Sequence, residues 1–202
     1  MRHAVLGAGG IGGLVGGALA RGGHEVFLLM RPAALAAYGG LLRIDSRVLG
    51  QFEVPVPGVS ELPEGLDVLW VTVKSNQLED ALYLAPAGRL GGALVVPLLN
   101  GVDHVQRLRA VFGDRVVPGA IRGESERVSP GHVVQTTPFA DTQLAPPHAL
   151  SERAAVLAAD LNAAGLPCTL LPGQEALVLW GKLAILCPLA LATSSLPATL
   201  GG

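Results

Sequence analysis

Short, almost wholly apolar runs alternate with helical stretches through the first half of the chain. His3 to Leu6 reads as a short strand that runs straight into glycines, and small residues from Ile11 to Arg21 then make a helix. Gly22-Gly23 end that helix, as glycine does at a C-terminal cap, and Glu25 to Met30 is a second strand. Together they make a βαβ unit of the length a parallel pair requires. Leu41 to Asp45 and Gln51 to Val56 alternate weakly around Ser46 to Gly50, as a small hairpin or as a crossover carrying strands. Asp67 to Val73 is apolar at nearly every position, the mark of a strand covered on both faces. Beyond it the pattern predicts a helix near Gln77 to Ala87, a strand at Ala93 to Leu98, a helix at Asp103 to Phe112 and a strand at Arg115 to Gly119. This alternation is that of a doubly wound α/β domain.

The pattern changes from Ala120 to Leu144. Pro130-Gly131 lies between Glu124–Val128 and His132–Thr136, an antiparallel hairpin expected to close the sheet. A helix at Leu150 to Ala164 and a strand at Pro167 to Leu171 follow, and Pro172-Gly173 marks a boundary. The expected organisation is a domain over residues 1–172, then the opening of a second, helical domain over residues 173–202. That second part holds one long helix from Gln174 to about Thr193.

Composition narrows the function. Half of the 202 residues are hydrophobic, 15% are charged and the formal net charge is −2. Such a chain is neither disordered nor built to bind a polyanion, and its scattered Lys and Arg exclude nucleic acid as the main partner. Cys168 and Cys187 form no disulfide framework, which with the lack of a secretory signal gives a cytoplasmic expectation. The apolar run from Ala176 to Leu191 carries Lys182 at its centre and Pro188 near its end. It therefore reads as a buried helix rather than a membrane span, because a central Lys costs about 2.5–3.5 kcal/mol on insertion.

The candidate chemistry begins at Gly7-Ala8-Gly9-Gly10-Ile11-Gly12, a G-x-G-x-x-G between a strand and a helix. Gly7 suits the tight turn, Gly9 the close approach of a diphosphate and Gly12 the packing of helix on strand. The helix N-terminus adds unpaired N–H groups and partial positive charge. The second strand ends Leu28-Leu29-Met30-Arg31, with no acid to hold the ribose hydroxyls of NAD. Arg31 suits the 2′-phosphate of NADP instead, so a Rossmann-like NADP-binding domain is expected.

Further motifs line up with a family over essentially the whole length. Val73-Lys74-Ser75-Asn76-Gln77, Leu99-Asn100-Gly101-Val102, the turn through Gly119 to Val133 and Trp180-Gly181-Lys182-Leu183, together with the glycine loop, resemble the ketopantoate reductases (2-dehydropantoate 2-reductases) and their relatives. The resemblance implies that Lys74 and Gln77 lie beside the cofactor, and that Ser125 is the small residue carried over it. It also implies that Asn100 touches nicotinamide and substrate, and that Lys182 is the proton donor. In isolation Asn100-Gly101 is a turn dipeptide and Lys74 a solvated strand end. Lys182 among Leu179, Leu183 and Leu186 is harder to read blandly, since an unpaired buried ammonium is costly. Desolvation in a cleft would lower its pKa toward that of a general acid. The implied reaction is NADPH-dependent reduction of a 2-oxo acid, ketopantoate or a relative, with no metal.

The chain also departs from that pattern. Leu186 and Ala190, at i+4 and i+8 from Lys182, stand where the family has Asn, and Leu99 replaces a Gln. Family members continue beyond the helix that ends this chain, so its apolar face is expected to meet a partner, a homodimer or another association through residues 174–193. A non-catalytic NADP-binding module is the alternative reading. A different dehydrogenase of the superfamily fits the glycine loop but not the later motifs.

Overall fold

A computed structural model describes residues 1–195, except for the side chains of residues 189 and 192–195. The first strand, β1 (Arg2–Leu6), leads through the glycine loop into α1 (Gly10–Arg21) and β2 (Glu25–Leu29). A short helix α2 (Pro32–Ala36) begins on a proline, whose fixed φ suits a first helical turn. The hairpin β3 (Leu41–Ser46) and β4 (Gly50–Pro55) follows, then the two-residue strand β5 (Gly58–Val59), β6 (Val68–Val71), α3 (Leu78–Leu82), β7 (Leu94–Pro97) and α4 (Asp103–Phe112). The strands β5, β2, β1, β6 and β7 lie side by side in that order, all parallel.

Both faces of this sheet are covered, which is why β6 and β7 are wholly apolar, and β1 and β2 are apolar but for Arg2, His3 and Glu25. Val5, Val26, Leu28 and Trp70 face the side of α1, while Ala4, Leu6, Leu69 and Val71 face the side of α3 and α4. Successive residues of β1 thus enter two separate cores, as the period of two in a strand requires. The side of α1 also receives Leu157 and Leu161 from a later helix, Ser151–Ala163.

The last third begins with β8 (Gly119–Arg122), β9 (Ser125–Ser129), β10 (His132–Gln135) and β11 (Asp141–Leu144). The helix α5 (Ser151–Ala163), the strand β12 (Cys168–Leu170) and the helix α6 (Glu175–Ser195) complete it. β12, β11 and β8 form a three-stranded sheet, joined to the parallel one by a parallel bridge between Val95 and Val116.

The hairpin of β9 and β10 forms as expected but does not close the parallel sheet. β10 pairs parallel with β3, so the two hairpins make a second sheet in the order β4-β3-β10-β9. That sheet rests on α1, whose glycines make room for it. A Cβ at Gly13 would lie 2.6 Å from Val133, and one at Gly17 would lie 3.0 Å from Ile44. Two other elements shift from their expected places. The helix expected over 77–87 contracts to a turn of 3₁₀ helix at Ser75–Gln77 and α3, ending ahead of Pro86. The strand expected at 115–119 keeps only the bridge at Val116, and regular pairing starts at Gly119.

The first turns of α6 are anchored. Arg109 of α4 donates two hydrogen bonds to the Glu175 carboxylate, at 3.2 and 2.5 Å, and Val178 and Leu179 are buried. Farther along, Trp180, Ile185 and Leu191 are exposed. No helix among the described residues is long and apolar enough to cross a membrane.

Candidate functional site

The strand order places a switch point at β1, where the chain continues to β2 on one side and β6 lies on the other. Ligands of open α/β sheets bind outside the carboxyl ends of the strands at such a point. A cleft of about 350 Å³ opens there, lined by Gly7, Ala8, Gly9, Arg31, Lys74 and Gln77 among others.

Each glycine of the loop has a separate structural reason. Gly7 has φ +107°, and a Cβ on it would lie 2.7 Å from the backbone nitrogen of Val73. A Cβ on Gly12 would strike the Gly7 carbonyl oxygen and the Thr72 hydroxyl. A Cβ on Gly9 would meet nothing within 4 Å, and Gly9 lines the cleft. The loop is closed by a hydrogen bond from the Gly9 N–H to the Gly7 carbonyl at 2.8 Å, and α1 opens with the Gly13 N–H bonded to the Gly9 carbonyl. Thr72 Oγ1 donates to the Gly7 carbonyl at 2.7 Å and so holds the loop to the end of β6. Gly10 and Ile11 open α1, and the backbone of Ser125 lies over Gly10, where a Cβ would strike the Ser125 carbonyl.

Ser125 itself is not among the residues that line the cleft, and its hydroxyl is buried with no partner among the described residues. The wall on that side comes from Arg127, two residues on, which the sequence pattern does not single out. The side chains of Arg31, Lys74 and Arg127 have no hydrogen-bond or ion-pair partner among the described residues, and the only acidic side chain among the lining residues is Asp80. These features suit a phosphate-bearing ligand: a helix N-terminus, a glycine left bare toward the cleft, and cations not committed to the protein.

Asn100 lies outside this cleft but beside it. The Ser75 hydroxyl donates to the Asn100 carbonyl at 3.2 Å, tying the loop after β6 to the loop after β7. Gly101 has φ +90°, which turns the chain sharply into α4. On the first turn of α4, His104 is 4% exposed, and neither ring nitrogen has a partner among the described residues. Burial, with the nearby charge of Lys182, pushes its pKa down to about 4, so the ring is neutral at neutral pH. Lys182 lies on α6, which the Arg109–Glu175 pair holds to α4, and burial pushes its pKa down to about 8. Leu186, one turn on, is half-buried as Lys182 is, and Ala190 is exposed. The structure thus gathers Gly7, Ala8, Gly9, Arg31, Lys74 and Gln77 in one cleft, with Asn100 next to it. Lys182 stands apart, on the helix facing His104.

Comparison with known proteins gives these features a family. The model of the ketopantoate reductase PanE/ApbA family matches residues 3–147, a span that ends before Lys182. The 2-dehydropantoate 2-reductase of Aquifex aeolicus (strain VF5) is 26% identical over 137 residues, covering 66% of this chain and 43% of that protein. The crystal structure of a PanE/ApbA family ketopantoate reductase from Ralstonia eutropha JMP134 matches with a TM-score of 0.78 at 31% identity, over 93% of this chain and 61% of that one. That of 2-dehydropantoate 2-reductase from Geobacter metallireducens GS-15 has a TM-score of 0.82 at 28% identity, over 93% and 63%. The chain spans less than half the length of the curated relatives it matches. With the family model matching most of its length, and the glycine loop, the Lys74 segment and the Asn100 turn all within that match, the chain belongs to the ketopantoate reductase family of oxidoreductases.

Proposed function

We propose that this chain carries the NADPH-binding part of a 2-oxo acid reductase, acting on ketopantoate or a related acid. The observation that supports it most is the cleft at the carboxyl end of β1. There Gly7, Ala8 and Gly9, the residue that caps α1, line the cleft, with no Cβ from Gly9 to keep a diphosphate away. Gly10, Ile11 and Gly12 lie behind them outside the lining, and Arg31 follows β2 with no acidic residue next to it in the chain. One charge-assisted hydrogen bond contributes roughly 1.5–3 kcal/mol, so Arg31 on a 2′-phosphate would favour NADP over NAD by an order of magnitude or more. Residues 1–172 would form this domain, and residues 173–202 would begin the helical one.

NADPH, when bound, supplies the hydride to the carbonyl carbon of the acid. Gly7 to Gly12 would hold the diphosphate, Lys74 and Gln77 would lie beside the cofactor, and Asn100 would help position the substrate or the nicotinamide. Lys182 gives its proton to the carbonyl oxygen as negative charge develops there. Its depressed pKa suits a donor working near neutral pH, where it is still mainly protonated. Burial also keeps the Cys168 thiol protonated, its pKa pushed up to about 12. The exposed apolar side chains of α6, Leu177, Trp180 and Ile185, are where a second copy or another helical partner would pack.

The test is NADPH oxidation, followed at 340 nm, with ketopantoate and a panel of other 2-oxo acids. Turnover is expected, and it is expected to vanish in Lys182→Ala while NADPH affinity is retained. Leu186 and Ala190 beside Lys182 favour a second reading, a non-catalytic NADP-binding module, since neither can hydrogen-bond a polar substrate through its side chain. NADPH binding with no turnover on any acid would decide for that reading.

A further inference from the structure

We infer that Arg127 reads a phosphate of the dinucleotide, closing the cleft from the second sheet opposite the residues of the parallel sheet. This rests on the cofactor reading above and goes beyond it, because nothing in the glycine loop or the Arg31 position calls for a residue of β9.

The geometry follows from how the second sheet lies across α1. β3 crosses near Gly17, where Ile44 packs, and β10 crosses near Gly13, where Val133 packs. β9, the edge strand, crosses at Gly10, the first residue of the helix, where the Ser125 carbonyl makes its contact. The sheet therefore steps from the body of α1 to its N-terminal rim, and its last strand reaches the end that offers unpaired N–H groups. Ser125 and Arg127 share a face of β9, since side chains two apart in a strand do. Arg127 pairs across the hairpin with Val133. It lines the same cleft as Gly7, Gly9, Arg31 and Lys74.

Charge supports the same conclusion. The chain as a whole carries a formal charge of −2, yet the cleft is lined by Arg31, Lys74 and Arg127 against Asp80 alone. Elsewhere most arginines are committed: Arg2 to Glu25, Arg89 to Glu61, Arg109 to Glu175, Arg115 and Arg153 to backbone carbonyls. The Arg127 side chain has no partner among the described residues, although Glu126 precedes it in the chain. A guanidinium with no side-chain partner in the lining of a cation-rich cleft, on the strand that reaches the first residue of a helix, suits a phosphate oxyanion, which its planar fork can grip with two hydrogen bonds. Two phosphates are within the chemistry, the 2′-monoester and the diphosphate.

Titration of the full chain with NADPH and, separately, NADH, by quenching of Trp fluorescence, tests this and tells the two apart. Arg127→Ala is expected to weaken NADPH binding about tenfold or more, and Arg127→Lys to recover part of the loss by restoring the charge. NADH binding left unchanged in the Ala variant assigns Arg127 to the 2′-phosphate, whereas an equal loss for NADH assigns it to the diphosphate. Because the Arg127 side chain is exposed and makes no hydrogen bond or ion pair among the described residues, its variants keep the wild-type melting temperature, which is checked alongside. Wild-type NADPH affinity in Arg127→Ala overturns this inference alone. A wild-type chain that binds neither nucleotide overturns the cofactor reading, and this one with it.

Discussion

His3 sits in the middle of the parallel sheet with no exposed surface, accepting a hydrogen bond at Nδ1 from the Trp70 indole N–H at 3.3 Å. Burial, and next the charge of His24, push its pKa from 6.5 down to about 3. The folded protein therefore holds His3 neutral over a range of pH in which the unfolded chain protonates it. The unfolded state binds more protons between pH 6.5 and 3, so stability is whole above pH 6.5 and falls as the pH drops below it. At pH 5 the unfolded histidine is about 97% protonated and the folded one almost not at all, a linkage of about 2 kcal/mol. That figure is insensitive to the folded value as long as it stays at or below about 4. His3→Gln removes the titration while leaving a side-chain oxygen to accept from Trp70. Urea unfolding at pH 7.5 and pH 5 measures the loss in each protein. The wild type is expected to lose about 2 kcal/mol more than the variant across that interval, a large share of the 5–15 kcal/mol by which domains are stable. Equal losses in the two proteins would refute the reasoning, because they would mean that His3 titrates in the folded sheet.

Three further outcomes bear on the site. In Gly12→Ala the new methyl group strikes the Gly7 carbonyl and the Thr72 hydroxyl, so the roughly 1 kcal/mol that Ala gains in a helix is offset by 1–3 kcal/mol of overpacking and the loop is displaced. NADPH affinity is expected to fall more than tenfold, and nucleotide titration showing wild-type affinity would contradict the packing role given to Gly12. Gly9→Ser, whose side chain meets open space and suits a helix N-cap, is expected to melt as the wild type does yet bind NADPH more weakly. A parallel fall in melting temperature would show that Gly9 serves the fold rather than the ligand. For Lys182 the expectation concerns pH. A donor must carry its proton, and the lysine loses it as pH rises through about 8, so kcat/KM for 2-oxo acid reduction should decline tenfold per unit above that point. A profile flat to pH 9.5 would remove Lys182 as the acid.

The local parts of this protein are legible in short stretches of its chain. The β1–glycine loop–α1 unit is written in adjacent residues, because an apolar run, a turn needing positive φ and a helix start are each decided within a few positions. The helix Asp103–Phe112 coincides with its expected bounds for the same reason. Arg31, Lys74 and Gln77 stand out because each closely follows a strand of the parallel sheet, and the ends of those strands converge.

What the chain pattern leaves open depends on partners far away in sequence. The hairpin at Ser125–Gln135 looks locally like any hairpin. Only its parallel pairing with β3, some ninety residues earlier, sends it across α1 instead of to the edge of the main sheet. The glycines at 13 and 17 of α1 read as poor helix formers, and their purpose, room for Val133 and Ile44, exists only once that second sheet is in place. Arg127 enters the cleft by the same route, and the burial of His104 opposite Lys182 depends on α4 and α6 being pinned together by Arg109 and Glu175. Short-range sterics and hydrophobic period suffice for the elements and the glycine loop, so the residue order alone settles those. Which sheet covers the helix, and which charged side chains face the cleft, emerges only on folding, because long-range strand pairing has no signature within the segments that pair.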